Sequence, residues 1–275
     1  MVLSKIKKHF SILLIRLNQK RELEKIYKEK NRVLNSIIES FLEIKFKKNL
    51  NNYSAEFQKC EDHRNSLLVD NRIIAYDIFG SNQKSLVKDI CKKASSTPIW
   101  GRFLFLIIKK IKSPKILEIG TNLGVSGSYI LSALKNKKNT RFITMEGVPD
   151  LCKIANTHFD SINPSKNHQI IQGIYKNSFP KIINKKINFN LFFIDGNHNR
   201  EDTLHYFNAL KSVSEIPTIM IFDDINWSIG MKECWSIIKE DKTITYSIDF
   251  FKWGIIIITK SQPKFYSSFK LHLDY

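Results

Sequence analysis

One stretch constrains this chain more than any other: KILEIGTNLGVSGSYI, Lys115 to Ile130. The run KILEI reads as a short buried strand, apolar and bounded by Pro114 and Gly120. From Val125 to about Leu134 the pattern turns helical. A glycine-bearing turn therefore joins a strand to a helix N-terminus. Backbone N–H groups and the positive end of a helix dipole can face a polar ligand there. Two phosphate-binding patterns fail on this turn. The loop of nucleotide hydrolases needs Lys-Ser or Lys-Thr after its glycines, and neither follows here. The dinucleotide fingerprint needs GxGxxG, whereas Gly120, Gly124 and Gly127 give GxxxGxxG. On these residues alone, an ordinary strand–helix turn with convenient glycines stays open.

The rest of the chain bears on the choice. Patterning predicts strands at 115–119, 141–146, 168–172, 190–194 and 218–222, with helices at 125–136, 150–160, 201–212 and 230–240. Such alternation implies a parallel sheet covered on both faces. The end breaks the alternation. Segments 243–250 and 253–259 are separated only by Phe251 and Lys252, so they must pair antiparallel. The expected fold is α/β, a doubly wound Rossmann-like sheet of seven strands: five parallel, then a C-terminal antiparallel hairpin. Upstream, Ser95-Ser96-Thr97 before Pro98 starts a helix that leads into the strand at 115. Residues 1–50 are charged and helical in pattern, and 49–58 (NLNNYSAEFQ) read as a polar linker.

Composition narrows the class. No run of about 18 uncharged apolar residues is present, so no transmembrane helix is expected. The N-terminus mixes charge into its apolar residues and lacks the pattern of a signal peptide. Cys60, Cys91, Cys152 and Cys234 lie far apart, which fits free thiols and a cytoplasmic location. The net charge is +18, carried mostly by lysines in an Ile- and Asn-rich chain. That charge is compatible with nucleic acid, an anionic membrane or anionic substrates, and also with a compositional bias of the source. Residues 5–17 form an amphipathic basic segment. It could contact a membrane surface, or pack on the main domain or a partner chain.

In doubly wound sheets, ligands sit at the carboxyl ends of the strands. The first strand ends at Glu118 and Gly120. The second ends at Glu146-Gly147, where an acid can accept hydrogen bonds from ribose hydroxyls. The third ends at Gln172-Gly173, a candidate wall for an adenine. The fourth ends FFIDGNH, placing Asp195 before Gly196-Asn197-His198, and the fifth ends IFDDINW, with Asp223 and Asp224. Neighbouring strands lie about 5 Å apart, so three carboxylates crowd one region. A divalent cation such as Mg²⁺ would relieve them. Alternatively, one Asp caps the next helix and another is solvated. His198, three residues past Asp195, is a candidate general base, or a residue that only bonds Asp195. Trp100, Arg200 and Trp227 are candidate acceptor-pocket residues; tryptophan also commonly fills a core.

The acid-x-Gly-xxx-Gly turn, in the form Glu118-Ile119-Gly120-Thr121-Asn122-Leu123-Gly124-Val125-Ser126, resembles motif I of class I S-adenosylmethionine (SAM) methyltransferases. The C-terminal hairpin is similar to the end of that fold. Residues 95–260 resemble the small-molecule O-methyltransferase branch, the catechol O-methyltransferase-like enzymes, in a variant with Asp-Gly-x-His after the fourth strand. The resemblance implies SAM as cofactor, held by Glu118, Gly120, Thr121, Asn122, Gly124, Ser126, Glu146, Gly147, Gln172, Gly173 and Asp195. It implies a metal at Asp195, Asp223 and Asp224, and a base at His198. Two positions depart from the catechol-type pattern. The second residue of the fifth-strand pair is Asp224 rather than Asn, and the base is His198 rather than Lys. The domain expectation is a basic helical N-terminal extension over 1–75 and a SAM-methyltransferase domain over 76–275.

The expected activity is methylation of a hydroxyl on a small-molecule or glycan-like acceptor. Three alternatives stand beside it: an RNA-directed methyltransferase using the basic surface, a non-catalytic module on the same fold, and a dehydrogenase. Asp195-Gly196-Asn197-His198 stands where amino-group methyltransferases carry [DN]PP[YFW], which argues against base amino groups as the target. Expected partners are the acceptor, a membrane surface through residues 1–17, and a second copy in a homodimer, with nucleic acid less favoured.

Overall fold

The computed structural model describes residues 2–162, 168–260 and 266–274, with side chains from residue 8 onward. In chain order the elements are α1 (Val2–Lys28), α2 (Arg32–Lys45), α3 (Ser54–Leu67), β1 (Ile73–Ala75), β2 (Lys84–Leu86), α4 (Val87–Ala94), α5 (Pro98–Lys110), β3 (Lys115–Ile119), α6 (Val125–Leu134), β4 (Arg141–Glu146), α7 (Pro149–Ile162), β5 (His168–Gln172), α8 (Tyr175–Asn184), β6 (Phe189–Ile194), α9 (Arg200–Leu210), β7 (Ser214–Phe222), α10 (Ile229–Lys239), β8 (Tyr246–Asp249), β9 (Gly254–Ile258) and β10 (Ser267–Lys270). Eight strands form one sheet in the order β10-β8-β9-β7-β6-β3-β4-β5. The order reverses at β3 and β6, which is where such sheets bind ligands. The chain clusters into two compact units, residues 42–192 and residues 1–41 with 193–275.

In the 42–192 unit, β3, β4 and β5 run parallel, with Ile119 beside Met145 and Glu146 beside Gln172. β3 is apolar because it is covered on both faces: Ile116, Leu117 and Ile119 are buried. All of α6 is buried, and a glycine within it and the one that caps it let neighbours approach. A Cβ on Gly127 would meet the Phe159 ring at 2.3 Å, and one on Gly124 would meet Ala155 at 2.9 Å. The expected linker at 49–58 is instead a 3₁₀ turn, Leu50–Tyr53, running into α3. Phe57, Cys60 and Leu67 are buried along α3, and Arg64 Nε beside them donates to the Ser96 carbonyl at 3.2 Å. The salt bridge from Arg102 to Glu61 is bidentate, at 2.7 and 2.9 Å. β1 and β2 form a small antiparallel hairpin that the sequence did not announce.

The other unit carries the predicted antiparallel end. β9 pairs antiparallel with both β7 and β8. The sheet has eight strands rather than the seven expected, because β10 adds to β8 in parallel register, Ser267 beside Tyr246. Only Phe269 of β10 is buried, so four residues reading SSFK gave no strand signal. α1 lies along this edge strand. Gln19 accepts from the His272 N–H at 3.1 Å, Glu22 accepts from the Lys270 N–H at 3.2 Å, and the Ser267 hydroxyl donates to Glu29 at 2.7 Å. These bonds cover a sheet edge that would otherwise be open. Ile12 and Ile26 are buried, while Phe10, Leu13, Leu14 and Leu17 are exposed in one stripe. Residues 1–7 of the expected membrane-contact segment lie outside the described side chains.

Candidate active site

The glycine turn after β3 is closed on itself. Gly120 and Thr121 N–H both donate to the Met145 carbonyl, at 3.2 and 3.0 Å, and Gly124 N–H donates to the Thr121 carbonyl at 2.9 Å. Asn122 N–H donates to Glu146 Oε2 at 2.9 Å, and Leu123 N–H donates to Asn122 Oδ1 at 2.8 Å. Every backbone N–H from Gly120 to Gly124 is therefore used inside the protein. A phosphate cradle needs those groups free, so the expectation of free donors is corrected for Gly120 to Gly124, and it rests on the first N–H groups of α6. The loop works by shape. Gly120, Asn122 and Gly124 take positive φ values of 110°, 49° and 78°, which lay the backbone flat over the end of β3. That surface suits a ligand without phosphates.

Beneath the loop, Glu118 is fully buried. Its carboxylate accepts from the Ser126 and Thr144 hydroxyls, both at 2.6 Å, and the Thr144 hydroxyl also bonds that of Thr121 at 2.6 Å. Glu118, Thr121 and Ser126 thus brace the loop onto β4 and α6. Glu146 is the acid that closes the site. Its Oε1 accepts from Val148 N–H at 2.9 Å, and its Oε2 from Asn122. A carboxylate has about four acceptor positions, so Glu146 keeps room for a further donor. Burial raises its pKa, against the backbone N–H groups of Val148, Asn122 and Gly147, which favour the anion. Gly147 is required by a close neighbour, since a Cβ would meet the Phe79 ring at 2.9 Å. Gly173, at φ 144°, donates its N–H to the Glu146 carbonyl at 2.8 Å, and Gln172 is exposed beside it at the end of β5.

The sequence reading missed Tyr76 and Phe79 between β1 and β2. Tyr76 lies near enough to Glu146 for that charge to help raise its phenol pKa, after burial. A three-residue strand with no periodicity gave no warning of either. Trp100 belongs to the core: it is 1% exposed and packs on Phe103 in α5, so it lines no solvent-facing pocket.

The residues 193–275 build a second constellation. Asn197 sits at φ 59°, its amide donating to Asp202 at 3.0 Å and to the Tyr206 hydroxyl at 3.1 Å. Asn199 caps α9 by accepting from Asp202 N–H at 2.9 Å. This turn brings His198 Nε2 to 3.3 Å from Asp195 Oδ1. Asp223 N–H donates to the Ile194 carbonyl at 2.9 Å, setting the ends of β6 and β7 side by side. Asp195 lies close enough to Asp223 for its charge to help raise the Asp223 carboxyl. The predicted crowding of carboxylates is real, but a cation the sequence reading overlooked stands among them. Lys252 Nζ donates to Asp223 Oδ1 and Oδ2 at 2.8 and 3.0 Å and to Asp224 Oδ1 at 3.1 Å. In the sequence Lys252 reads only as a hairpin spacer.

Burial pushes the Asp223 carboxyl up, Asp195 adds to the rise, and Lys252 opposes it. Burial pulls His198 down, but its bond to Asp195 and the charges of Asp195, Asp223 and Asp224 outweigh that, so its pKa is raised. The three carboxylates do not fit a divalent ion as they stand. Both oxygens of Asp223 and one of Asp224 are taken by an ammonium, and among the described residues no cluster of His, Cys, Asp and Glu has a metal-holding arrangement. Trp227 is 73% exposed. Arg200 is tied to Glu201 and Glu233 at 3.5 and 3.7 Å.

Residues 117–225 match the family model described as a methyltransferase domain. A catechol O-methyltransferase from Niastella koreensis is 28% identical over 132 residues, 48% of this chain. The chain spans 58% of that relative's length. Among solved structures, the O-methyltransferase from Bacillus cereus in complex with SAH is similar, with a TM-score of 0.52 and 22% identity over 61% of this chain and 84% of that one. Cofactor-bound Rv0187 from MTB matches with a TM-score of 0.53 and 13% identity, over 82% of this chain and 97% of that one. Residues 117–225 are thus similar to a methyltransferase domain, and the chain shares the Rossmann-like fold of the Bacillus cereus O-methyltransferase.

Proposed function

We propose that this chain transfers the methyl group of SAM to a hydroxyl of a small-molecule or glycan-like acceptor. One observation carries the reading: the buried Glu146 carboxylate, anchored by Asn122 and Val148 N–H beside a loop with no spare backbone donors. It offers acceptors to a ribose. The methyltransferase-domain match over 117–225 supports the same ligand.

When bound, SAM supplies an electrophilic methyl carbon. The chain's own residues supply the rest. Asn122, Gly124, Glu146, Gly147, Gln172 and Gly173 hold the nucleoside, with Glu118, Thr121 and Ser126 bracing the loop. Asp195 accepts from His198 Nε2–H, which leaves Nδ1 to take the acceptor's hydroxyl proton. Alignment of the attacking oxygen supplies much of the rate. No step uses a divalent ion, because Lys252 already satisfies Asp223 and Asp224. The four cysteines are free and buried, which supports a reducing, cytoplasmic setting.

Calorimetric titration with S-adenosylhomocysteine tests the reading, with NAD as the control ligand. Micromolar binding of the first and none of the second is expected. The reverse result would return the chain to the dehydrogenases. A labelled-methyl assay over a panel of catechols and sugar hydroxyls then identifies the acceptor.

A second reading concerns partners. Phe10, Leu13, Leu14 and Leu17 are 60%, 51%, 44% and 71% exposed on a helix whose other face is pinned to β10. The basic Lys20 and Arg21 are exposed near them, while Arg16 donates to His272 at 3.3 Å. This favours contact with an anionic lipid surface. Co-sedimentation with phosphatidylserine vesicles, lost in Leu17→Glu, is the test; a concentration-dependent dimer without lipid binding would assign the stripe to a second copy instead.

A further inference from the structure

The carboxylates at the ends of β6 and β7 raise a question of charge. Asp195, Asp223 and Asp224 come together, with Asp223 and Asp195 buried or nearly so. Carboxylates this close require a cation, a proton or a basic group. An ammonium carries three N–H donors, and Lys252 Nζ makes three short contacts, two to Asp223 and one to Asp224.

This lysine is not a loose surface side chain. Its backbone carbonyl accepts from Ile225 N–H at 3.1 Å, and the carbonyl of Phe251 accepts from the Asn226 amide at 2.7 Å. Phe250 N–H donates to the Trp253 carbonyl at 2.8 Å, and Phe251 N–H to Asp249 Oδ1 at 2.8 Å, which fixes the hairpin turn. The loop that carries Asp223 and Asp224 is therefore bolted to the turn that carries Lys252. A divalent ion takes oxygens at about 2.0–2.6 Å. To enter here it would have to displace the ammonium from both oxygens of Asp223.

We propose that Lys252 is the resident cation of this site: its ammonium stands between Asp223 and Asp224 where a divalent ion would otherwise sit, and it positions the Asp223–Asp195–His198 chain without a metal. Lys252 acts as a positioning residue, since it reaches His198 only through the carboxylates. The inference deepens the methyltransferase reading, but its test uses the chain without cofactor. S-adenosylhomocysteine binding, measured separately, decides the cofactor alone.

The test is metal uptake by electron paramagnetic resonance with Mn²⁺ as the probe, paired with thermal melts, for the wild type, Lys252→Met and Lys252→Arg. The wild type and Lys252→Arg are expected to leave the free Mn²⁺ signal unchanged at millimolar metal. Lys252→Met is expected to melt lower and to recover on taking up one Mn²⁺ per chain. Micromolar Mn²⁺ uptake by the wild type would overturn the proposal. So would a Lys252→Met protein with an unchanged melt, or one whose lowered melt Mn²⁺ fails to restore. Should Lys252→Met not fold, Asp224→Asn, which removes one anion from the half-exposed rim, serves in its place. With Lys252 then satisfied by Asp223 alone, it too is expected to take up no Mn²⁺, and uptake would sink the idea.

Discussion

Glu146 and His198 are single residues on which the proposed chemistry turns. Glu146→Gln keeps the shape but removes the charge, and its single carbonyl oxygen can accept from only one of the Val148 and Asn122 N–H groups. A loss of about 1.5–3 kcal/mol is expected, read as roughly 10- to 100-fold weaker S-adenosylhomocysteine binding by calorimetry. His198→Asn should lower kcat by about 10²–10⁴-fold with little change in cofactor affinity. The raised pKa of His198 also sets the pH profile. The free base is lost as pH falls through that raised value, so the acidic limb of kcat/KM lies above the ordinary histidine value of 6.5. Asp195→Asn removes the main raising partner, and the limb should move down. A limb that stays put would remove His198 as the base. Away from the site, His63 and His158 stack with ring centroids 3.6 Å apart, and burial pushes His158 down to about 3. A depressed base favours the fold only while neutral. Its contribution is present above pH 6.5 and is lost as pH falls from there toward 3, at up to ~1.4 kcal/mol per pH unit. His158→Gln should flatten the acid limb of a stability–pH curve. The acid and glycines of the loop were legible in the sequence. That Glu118 faces Ser126 and Thr144 instead of a ligand was not, because a hydroxyl on the next strand leaves no local pattern.

At the level of elements, most of the strand–helix alternation from β3 onward could be read within a residue or two, since each strand is a dense apolar run between turn residues; α8 escaped, with Pro180 inside it, and β7 begins at Ser214 rather than at Thr218. Short or mixed elements escaped: β1 and β2 have three residues each, and β10 is mostly polar. α3 escaped because only Phe57, Cys60 and Leu67 mark its buried face among charged neighbours. Lys252 escaped for a related reason. It was read as the spacer of a hairpin, and only the pairing of β9 with β7 brings that turn beside Asp223. The glycines of α6 give a prediction of this scale. On propensity alone Gly127→Ala would gain about 1 kcal/mol. The new methyl would meet Phe159 at 2.3 Å, however, and force α6 off α7. Overpacking of that kind costs roughly 1–3 kcal/mol, so a lower melting temperature is expected. A rise would mean that Phe159 can swing away.

On the scale of the molecule, the N-terminal helix is grouped with the C-terminal strands rather than with the residues that follow it. Removing residues 1–30 should unmask the β10 edge, taking away the Gln19, Glu22 and Glu29 acceptors and the burial of Ile12 and Ile26. Aggregation on gel filtration and rapid proteolysis near 267–272 are the expected signs; a monodisperse, protease-resistant product would show α1 to be dispensable. The pairing also has a consequence for how the chain is made. Residues 42–192 are all present as soon as Phe192 is translated, but α1 must wait for Lys270 and His272, the last acceptable partners to leave the ribosome. At about 5–20 residues per second, the nascent protein carries its first helix uncommitted for roughly ten seconds or more. During that interval, whatever holds an apolar, basic helix in the cell has the first claim on it.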